Sequence, residues 1–209
     1  MKKIVVAFVA QKGGVGKSTL ARAFATMASK EGYVVRLIDL DVQQMTTLHW
    51  HEQRVKNGYK PIGTVEAVAK VSQAIEQAGD FDFLIFDGSA RASQGTLEIA
   101  KIADLVVIPT CASRDDLFPA VKLAHEFQEN GVHKEAIVLC LTRVSTESET
   151  EDARIFIQDS GNLAVHGQLL EKAGYRQAQN EGLSIFETRF SSLNTKAKEL
   201  LNSITNHLS

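Results

Sequence analysis

The sequence predicts a doubly wound α/β fold, a mostly parallel sheet with helices on both of its faces. Three observations predict it. Short apolar, β-branched runs recur along the 209 residues. These runs are apolar on both faces rather than alternating, as strands covered on each side by helices must be. Stretches with helical spacing separate most of them, giving a β-α alternation. With 44% hydrophobic residues the chain can bury one continuous core but has no room for a second domain of comparable size, so residues 1–209 read as a single domain.

The elements follow in order. Ile4 to Val9 is the first strand; Met1-Lys2-Lys3 ahead of it imitates a signal peptide, but the apolar run leads directly into glycines with no cleavage-like spacer. A helical stretch runs from Thr19 to Lys30, and a second strand covers Val34 to Ile38. Further apolar runs at Phe83 to Phe86, Leu105 to Ile108 and Ile137 to Leu141 give a third, fourth and fifth strand. The polar segment Ser145 to Asp152 reads as an exposed loop leading into a helix. Leu193, Ala197, Leu200, Leu201, Ile204 and Leu208 fall on one helical face, expected to pack on the sheet rather than to anchor at a membrane, because the tail has few basic residues and lacks bulky aromatics.

Composition excludes several classes. A formal charge of -2 argues against a protein coated in positive charge, although a local basic patch stays open. Cys111 and Cys140 are far apart and outside any C-x-x-C pattern, which disfavours a disulfide framework or zinc site. No apolar stretch approaches the ~20 residues of a spanning helix, so no stable membrane insertion and a cytoplasmic location are expected.

Gln11-Lys12-Gly13-Gly14-Val15-Gly16-Lys17-Ser18-Thr19 lies between the first strand and the first helix. Glycines at such a junction let backbone N–H groups turn inward onto phosphate oxygens, and the helix N-terminus adds partial positive charge. The ending G-K-S-T then places Lys17 on the β- and γ-phosphates of a nucleotide and Ser18 on magnesium. Phe83 to Phe86 ends in Asp87, an apolar run closing on a carboxylate, and Asp87 is a candidate for the magnesium site.

The loop K-G-G-V-G-K-S-T resembles the deviant Walker A motif of the ParA/MinD family of ATPases. The resemblance implies ATP and Mg²⁺ as ligands and an ATP-dependent homodimer, in which Lys12 reaches across the interface to the partner's nucleotide. Such a cation would neutralise charge developing during phosphoryl transfer; the alternative is a lysine that sits in solvent beside the phosphates. Asp39-Leu40-Asp41-Val42-Gln43 is similar to the family's D-x-D-P-Q switch, implying that Asp39 serves the metal shell and Asp41 orients the attacking water. If the strand continues, two residues two apart point the same way. Val42 stands where the family has proline, and Asp87-Gly88-Ser89-Ala90-Arg91 departs from D-x-P-P toward the short plasmid-partition branch. Thr142-Arg143 takes the place of an N-R pair at the adenine, so Arg143 is expected to border the base. Tyr175 to Gly182 and Ser184 to Glu187 resemble a stretch near the nucleotide and dimer interface.

The leading expectation is a partition ATPase of the short, ParF-like type, nucleoid-associated. Its dimer would hold nonspecific DNA until a ParB-type or centromere-binding adaptor triggers hydrolysis. The phosphate-loop strand begins at residue 3, leaving no N-terminal DNA-reading extension in this sequence. DNA contacts are then expected from Arg189, Lys196 and Lys198, within a loose basic cluster that also holds Lys172 and Arg176. The alternatives are a membrane-cycling or cargo-positioning ATPase, an iron-sulfur or metabolic enzyme using Cys111 and Cys140, and a nucleotide-dependent structural protein without hydrolysis, which Asp41 disfavours.

Overall fold

The computed structural model describes residues 3–76, 79–89 and 94–208. Chain order is β1 (Ile4–Phe8), α1 (Lys17–Lys30), β2 (Val35–Asp39), α2 (Thr46–Lys56), β3 (Thr64–Ala67), α3 (Val71–Glu76), β4 (Phe83–Asp87), α4 (Gln94–Ile102) and β5 (Leu105–Thr110). It continues with α5 (Arg114–Glu129), β6 (Ile137–Val144), α6 (Glu147–Asp159), β7 (Leu163–Ala164), β8 (Leu169–Leu170), α7 (Ala173–Asn180) and α8 (Ser191–Thr205).

The expected parallel, doubly wound sheet forms. Its order is β3-β2-β4-β1-β5-β6-β7, with β8 paired to the far end of β6, and every pairing is parallel. Strand alternation sorts the core into two layers. Val6, Phe8, Leu37, Ile85 and Val107 face α1 and α8, whereas Ala7, Ile38, Leu84, Phe86 and Ile108 face α4, α5 and α6. A strand buried on both faces must be apolar at consecutive positions, which is why β1, β4 and β5 read as unbroken apolar runs. The order reverses direction at β1, and the crevice beyond the carboxyl ends of the strands at such a switch point is where ligands of these sheets bind.

The five expected strands form, but the count was short. The run at Phe83 is the fourth strand, because β3 intervenes; Thr64–Ala67 is a half-exposed edge strand with a glutamate in its middle, so its sequence carries no apolar run. β7 and β8 have two residues each, too short for any period to show. The acidic segment is also corrected: residues 145–146 alone precede α6, which starts at Glu147. The Thr146 hydroxyl accepts the Glu149 N–H at 3.2 Å, and Glu149 accepts the Ser145 N–H at 3.1 Å. Acidic side chains in a first turn complement the helix dipole, so the carboxylates start the helix rather than extend the loop. In α8, Ala197, Leu200, Leu201 and Ile204 are wholly buried, as the helical spacing implies, and Leu208 packs against the same layer from beyond the helix end. No helix among the described residues is long and apolar enough to cross a membrane.

Candidate nucleotide site

β1 delivers the chain to residues 9–16, and α1 begins at Lys17. Gly14 (φ 79°) and Gly16 (φ 94°) occupy the left-handed region, where a side chain is strained; Gly16 does so as the residue just before α1. Gly13 does not, and a Cβ there would meet nothing within 4 Å, so backbone geometry requires two of the three glycines rather than all. Val15 is pinned from behind, its carbonyl accepting the Thr142 hydroxyl at 2.7 Å. Lys17 is nearly buried and curls back so that its Nζ donates to the Lys12 carbonyl at 3.1 Å. Burial pulls its pKa down, while the charges of Asp87 and Asp41 push it back up. A desolvated ammonium tethered inside the loop is placed to meet an anion there.

Lys12 behaves differently. Its side chain is 42% exposed and its Nζ bonds Asp116 Oδ1 at 2.9 Å, so it leaves the loop on the outer side and pairs with the first turn of α5. Asp116 also accepts the Ser113 hydroxyl at 2.7 Å.

Asp39 and Asp87 end adjacent strands in direct register. Both are about 1% exposed. Asp87 Oδ1 accepts the Ser18 hydroxyl at 3.1 Å and Oδ2 the Thr47 hydroxyl at 2.5 Å. Burial pushes its carboxyl up to about 6; the Asp39 charge adds to the rise, and the two hydroxyls and the Arg22 charge oppose it. Asp39 spends its oxygens on backbone, accepting Asp41 N–H at 3.0 Å and Thr47 N–H at 2.8 Å. It therefore braces both ends of the loop that carries Asp41. The expectation that Asp39 and Asp41 point the same way does not hold in that form, because β2 stops at Asp39. Asp41 instead lies half-exposed in a turn, its Oδ1 accepting the Gln44 N–H at 3.0 Å.

Arg143 sits at the bulge between Thr142 and Val144 with φ 53°, and its guanidinium bonds the Gly14 carbonyl at 3.0 Å and Glu171 at 2.7 Å. Glu171 is also bonded by Arg176. The hydrogen bond and charge of Glu171 raise the Arg143 pKa. A cleft of about 310 Å³ runs from Gly14, Gly16, Lys17, Ser18 and Thr19 past Arg143 to Tyr175 and Gln179. The structure thus brings the glycine loop, Arg143 and the first half of the 175–187 segment to one cleft. The second half, Ile185 to Glu187, packs into the core and onto α2 instead.

Other expectations separate. Lys196 and Lys198 lie two positions apart on α8, which puts them on different sides of a helix. Lys196 lines a polar cleft with Arg154 and His166, Lys198 approaches the Phe186 ring at 6.0 Å, and Arg189 lies over Phe190 at 4.8 Å. Lys172 and Arg176 line the 310 Å³ cleft. The basic cluster of the sequence is not one surface patch. Ala90 and Arg91 lie outside the described residues. Cys140 is wholly buried, and burial pushes its thiol up to about 12. Sequence reasoning missed Arg22, Thr47 and Asp116; Arg22 has a visible signal, a charge flanked in sequence by Leu20, Ala21, Ala23 and Phe24, which are buried in α1.

Residues 6–185 match the family model described as the CobQ/CobB/MinD/ParA nucleotide binding domain. The chain belongs to this family. Among known members, the septum site-determining protein MinD of Neisseria meningitidis is 24% identical over 87% of this chain and 83% of its own length. The fold matches MinD of Pyrococcus horikoshii complexed with Mg-ADP at a TM-score of 0.75 and 16% identity, covering 97% of this chain and 96% of that one. It matches equally a putative plasmid partition protein of Borrelia burgdorferi bound to AMPPNP, at 0.75 and 18% identity, covering 98% and 99%. The family is one of nucleotide binding domains, and the 310 Å³ cleft, with Lys17 and the two left-handed glycines at its head, is the candidate site for the nucleotide.

The residues also fit a divalent cation. The donor set of Ser18, Asp39 and Asp87 is all oxygen, as a hard cation requires. Among the described residues no group of three or more His, Cys, Asp or Glu forms a cage, so phosphate oxygens and water would complete the coordination, as is usual for magnesium.

Proposed function

We propose that the chain is a Mg²⁺-dependent ATPase of the partition type. Two copies close around ATP, the dimer holds DNA without sequence preference, and an adaptor protein of the ParB type triggers hydrolysis and release. The observation that carries this reading is the division of labour between two lysines on one loop: Lys17 is turned inward and nearly buried, while Lys12 is turned outward and paired with Asp116. An outward cation at the rim of the phosphate site can serve a nucleotide bound by a second copy. Ser18, Asp39 and Asp87 would hold magnesium, which supplies charge neutralisation on the β- and γ-phosphates. Asp41, half-exposed on a loop braced by Asp39, would orient the water. Arg143 and Tyr175 would border the base.

The alternative, a membrane- or cargo-positioning ATPase, draws on the MinD relative. Against its membrane form, the apolar face of α8 is already used in the core. ATPase activity with and without duplex DNA separates the two readings: DNA stimulation supports partition, and its absence together with binding to anionic vesicles overturns it. DNA affinity should be high with ATP and weak with ADP, and fall with salt at a log-log slope of about -0.9 per phosphate contacted. Because Arg189, Lys196 and Lys198 are dispersed, each alanine variant should lower that slope separately; unchanged slopes would place the DNA surface elsewhere.

Asp41→Ala should bind ATP and dimerise yet lose roughly 10²- to 10⁴-fold in turnover, the usual worth of a positioned base. Lys12→Ala should keep monomer binding of nucleotide while light scattering with ATP and magnesium shows no dimer. A normal dimer mass would rule out the cross-chain role.

A further inference from the structure

The half-buried Arg22 and the buried Thr47 form a pair that neither the phosphate loop nor the switch loop explains. Thr47 is the second residue of α2, is wholly buried, and its hydroxyl has one proton to give. Arg22 Nε donates to that oxygen at 2.9 Å. With a lone pair so occupied, the single proton is directed onto Asp87 Oδ2, 2.5 Å away. The Thr47 N–H meanwhile holds Asp39 Oδ2 at 2.8 Å. One residue of α2 therefore fixes both carboxylates of the candidate metal site, and an arginine of α1 fixes that residue.

Arg22 reaches further. Its guanidinium lies over the Trp50 ring of α2 at 5.6 Å and approaches Gln179 Oε1 of α7 at 3.4 Å. Gln179 in turn donates to the Thr19 hydroxyl at 3.2 Å and lines the nucleotide cleft. Asp87 and Asp39 are the charges that act on Arg22 most strongly. Two buried carboxylates in register repel each other, and a fixed guanidinium nearby offsets that repulsion.

We propose that Arg22 and Thr47 are positioning residues for the magnesium carboxylate: Arg22 orients the Thr47 hydroxyl, and that hydroxyl holds Asp87 in the rotamer in which its other oxygen takes the Ser18 proton and leaves the Ser18 lone pairs free for the metal. The inference rests on the nucleotide and magnesium reading above. Groups that orient a metal's ligands in this way are worth roughly 10- to 100-fold in metal affinity or activity when removed.

The test measures fluorescent ATP-analogue affinity with magnesium and with EDTA, for wild type, Thr47→Val, Thr47→Ser and Arg22→Gln. Valine matches threonine in shape but lacks the hydroxyl, and serine restores it. The EDTA affinity should be unchanged in every variant. The gain in affinity on adding magnesium, and the magnesium concentration at half-maximal binding, should worsen roughly 10- to 100-fold in Thr47→Val and Arg22→Gln, and return to near wild type in Thr47→Ser. If affinity falls equally with and without magnesium, or Thr47→Ser fails as badly as Thr47→Val, the pair is merely structural and the proposal is overturned. If the valine and glutamine variants match wild type, it is equally overturned. Wild type that binds no nucleotide under either condition would instead sink the nucleotide reading itself, so the two failures are distinguishable.

Discussion

Lys17→Ala should abolish useful nucleotide binding. Lys17 is turned into the loop and nearly buried, with Nζ tethered to the Lys12 carbonyl. Burial lowers its pKa, and the charges of Asp87 and Asp41 oppose that fall. Truncating one partner of a desolvated, hydrogen-bonded charge pair costs about 2–5 kcal/mol, roughly 30- to 4,000-fold in Kd. Removing it also leaves the phosphates facing two carboxylates with their countercharge gone. Fold stability should change little, since among the described residues the Lys17 side chain donates one bond, to its own loop. Equilibrium titration with a fluorescent ATP analogue, alongside a urea melt, checks both halves. Near wild-type affinity in a folded variant would refute the assignment of the phosphate loop.

The parts of this fold that the sequence reveals are those whose physics is local. A strand buried on both faces must be apolar at consecutive positions, so β1, β4 and β5 were legible; β3, at the edge with Glu66 paired to Arg36 at 2.6 Å, had no such constraint and was not. The phosphate loop was legible because left-handed φ at Gly14 and Gly16 restricts the residue type. Asp39 and Asp87 are 48 positions apart, and only parallel pairing of β2 with β4 puts them in register. The Thr47 hydroxyl and the Arg22 guanidinium are set by how α2 packs on α1, and nothing in a window of sequence fixes that crossing. The basic tail shows the converse failure. Closeness in sequence suggested a cluster, but on a helix a spacing of two turns Lys196 and Lys198 apart.

Glu187→Ala should be the most destabilising of the surface-proximal substitutions, for a reason that links α2 to the C-terminal segment. Glu187 is bonded by Arg54 at 2.7 and 3.0 Å, by Lys30 at 2.6 Å and by the Ser184 N–H at 2.8 Å. Arg54, only 3% exposed, also donates to the carbonyls of Lys60 and Gly182. Gly182 has φ 79°, and any Cβ there would collide with the Arg54 backbone, so the chain passes against α2 with no space to spare. Removing the carboxylate strands a buried guanidinium, and breaking such a pair from one side costs about 3–5 kcal/mol, a large part of the ~5–15 kcal/mol that holds a domain folded. Burial alone would raise the Glu187 pKa, but the hydrogen bonds from Arg54 and Lys30 outweigh it and hold the group at about 2, below its ordinary 4.5. The folded value is depressed, so the stabilisation is fully present above about pH 4.5 and is lost as pH falls toward 2. At 1.36 kcal/mol per pKa unit this amounts to roughly 3 kcal/mol. Urea midpoints measured from pH 6 to pH 2 should therefore drop more steeply for wild type than for Glu187→Gln, which keeps the shape and loses the titration. Parallel curves would show that Glu187 has an ordinary pKa and that the clamp on α2 is held by packing instead.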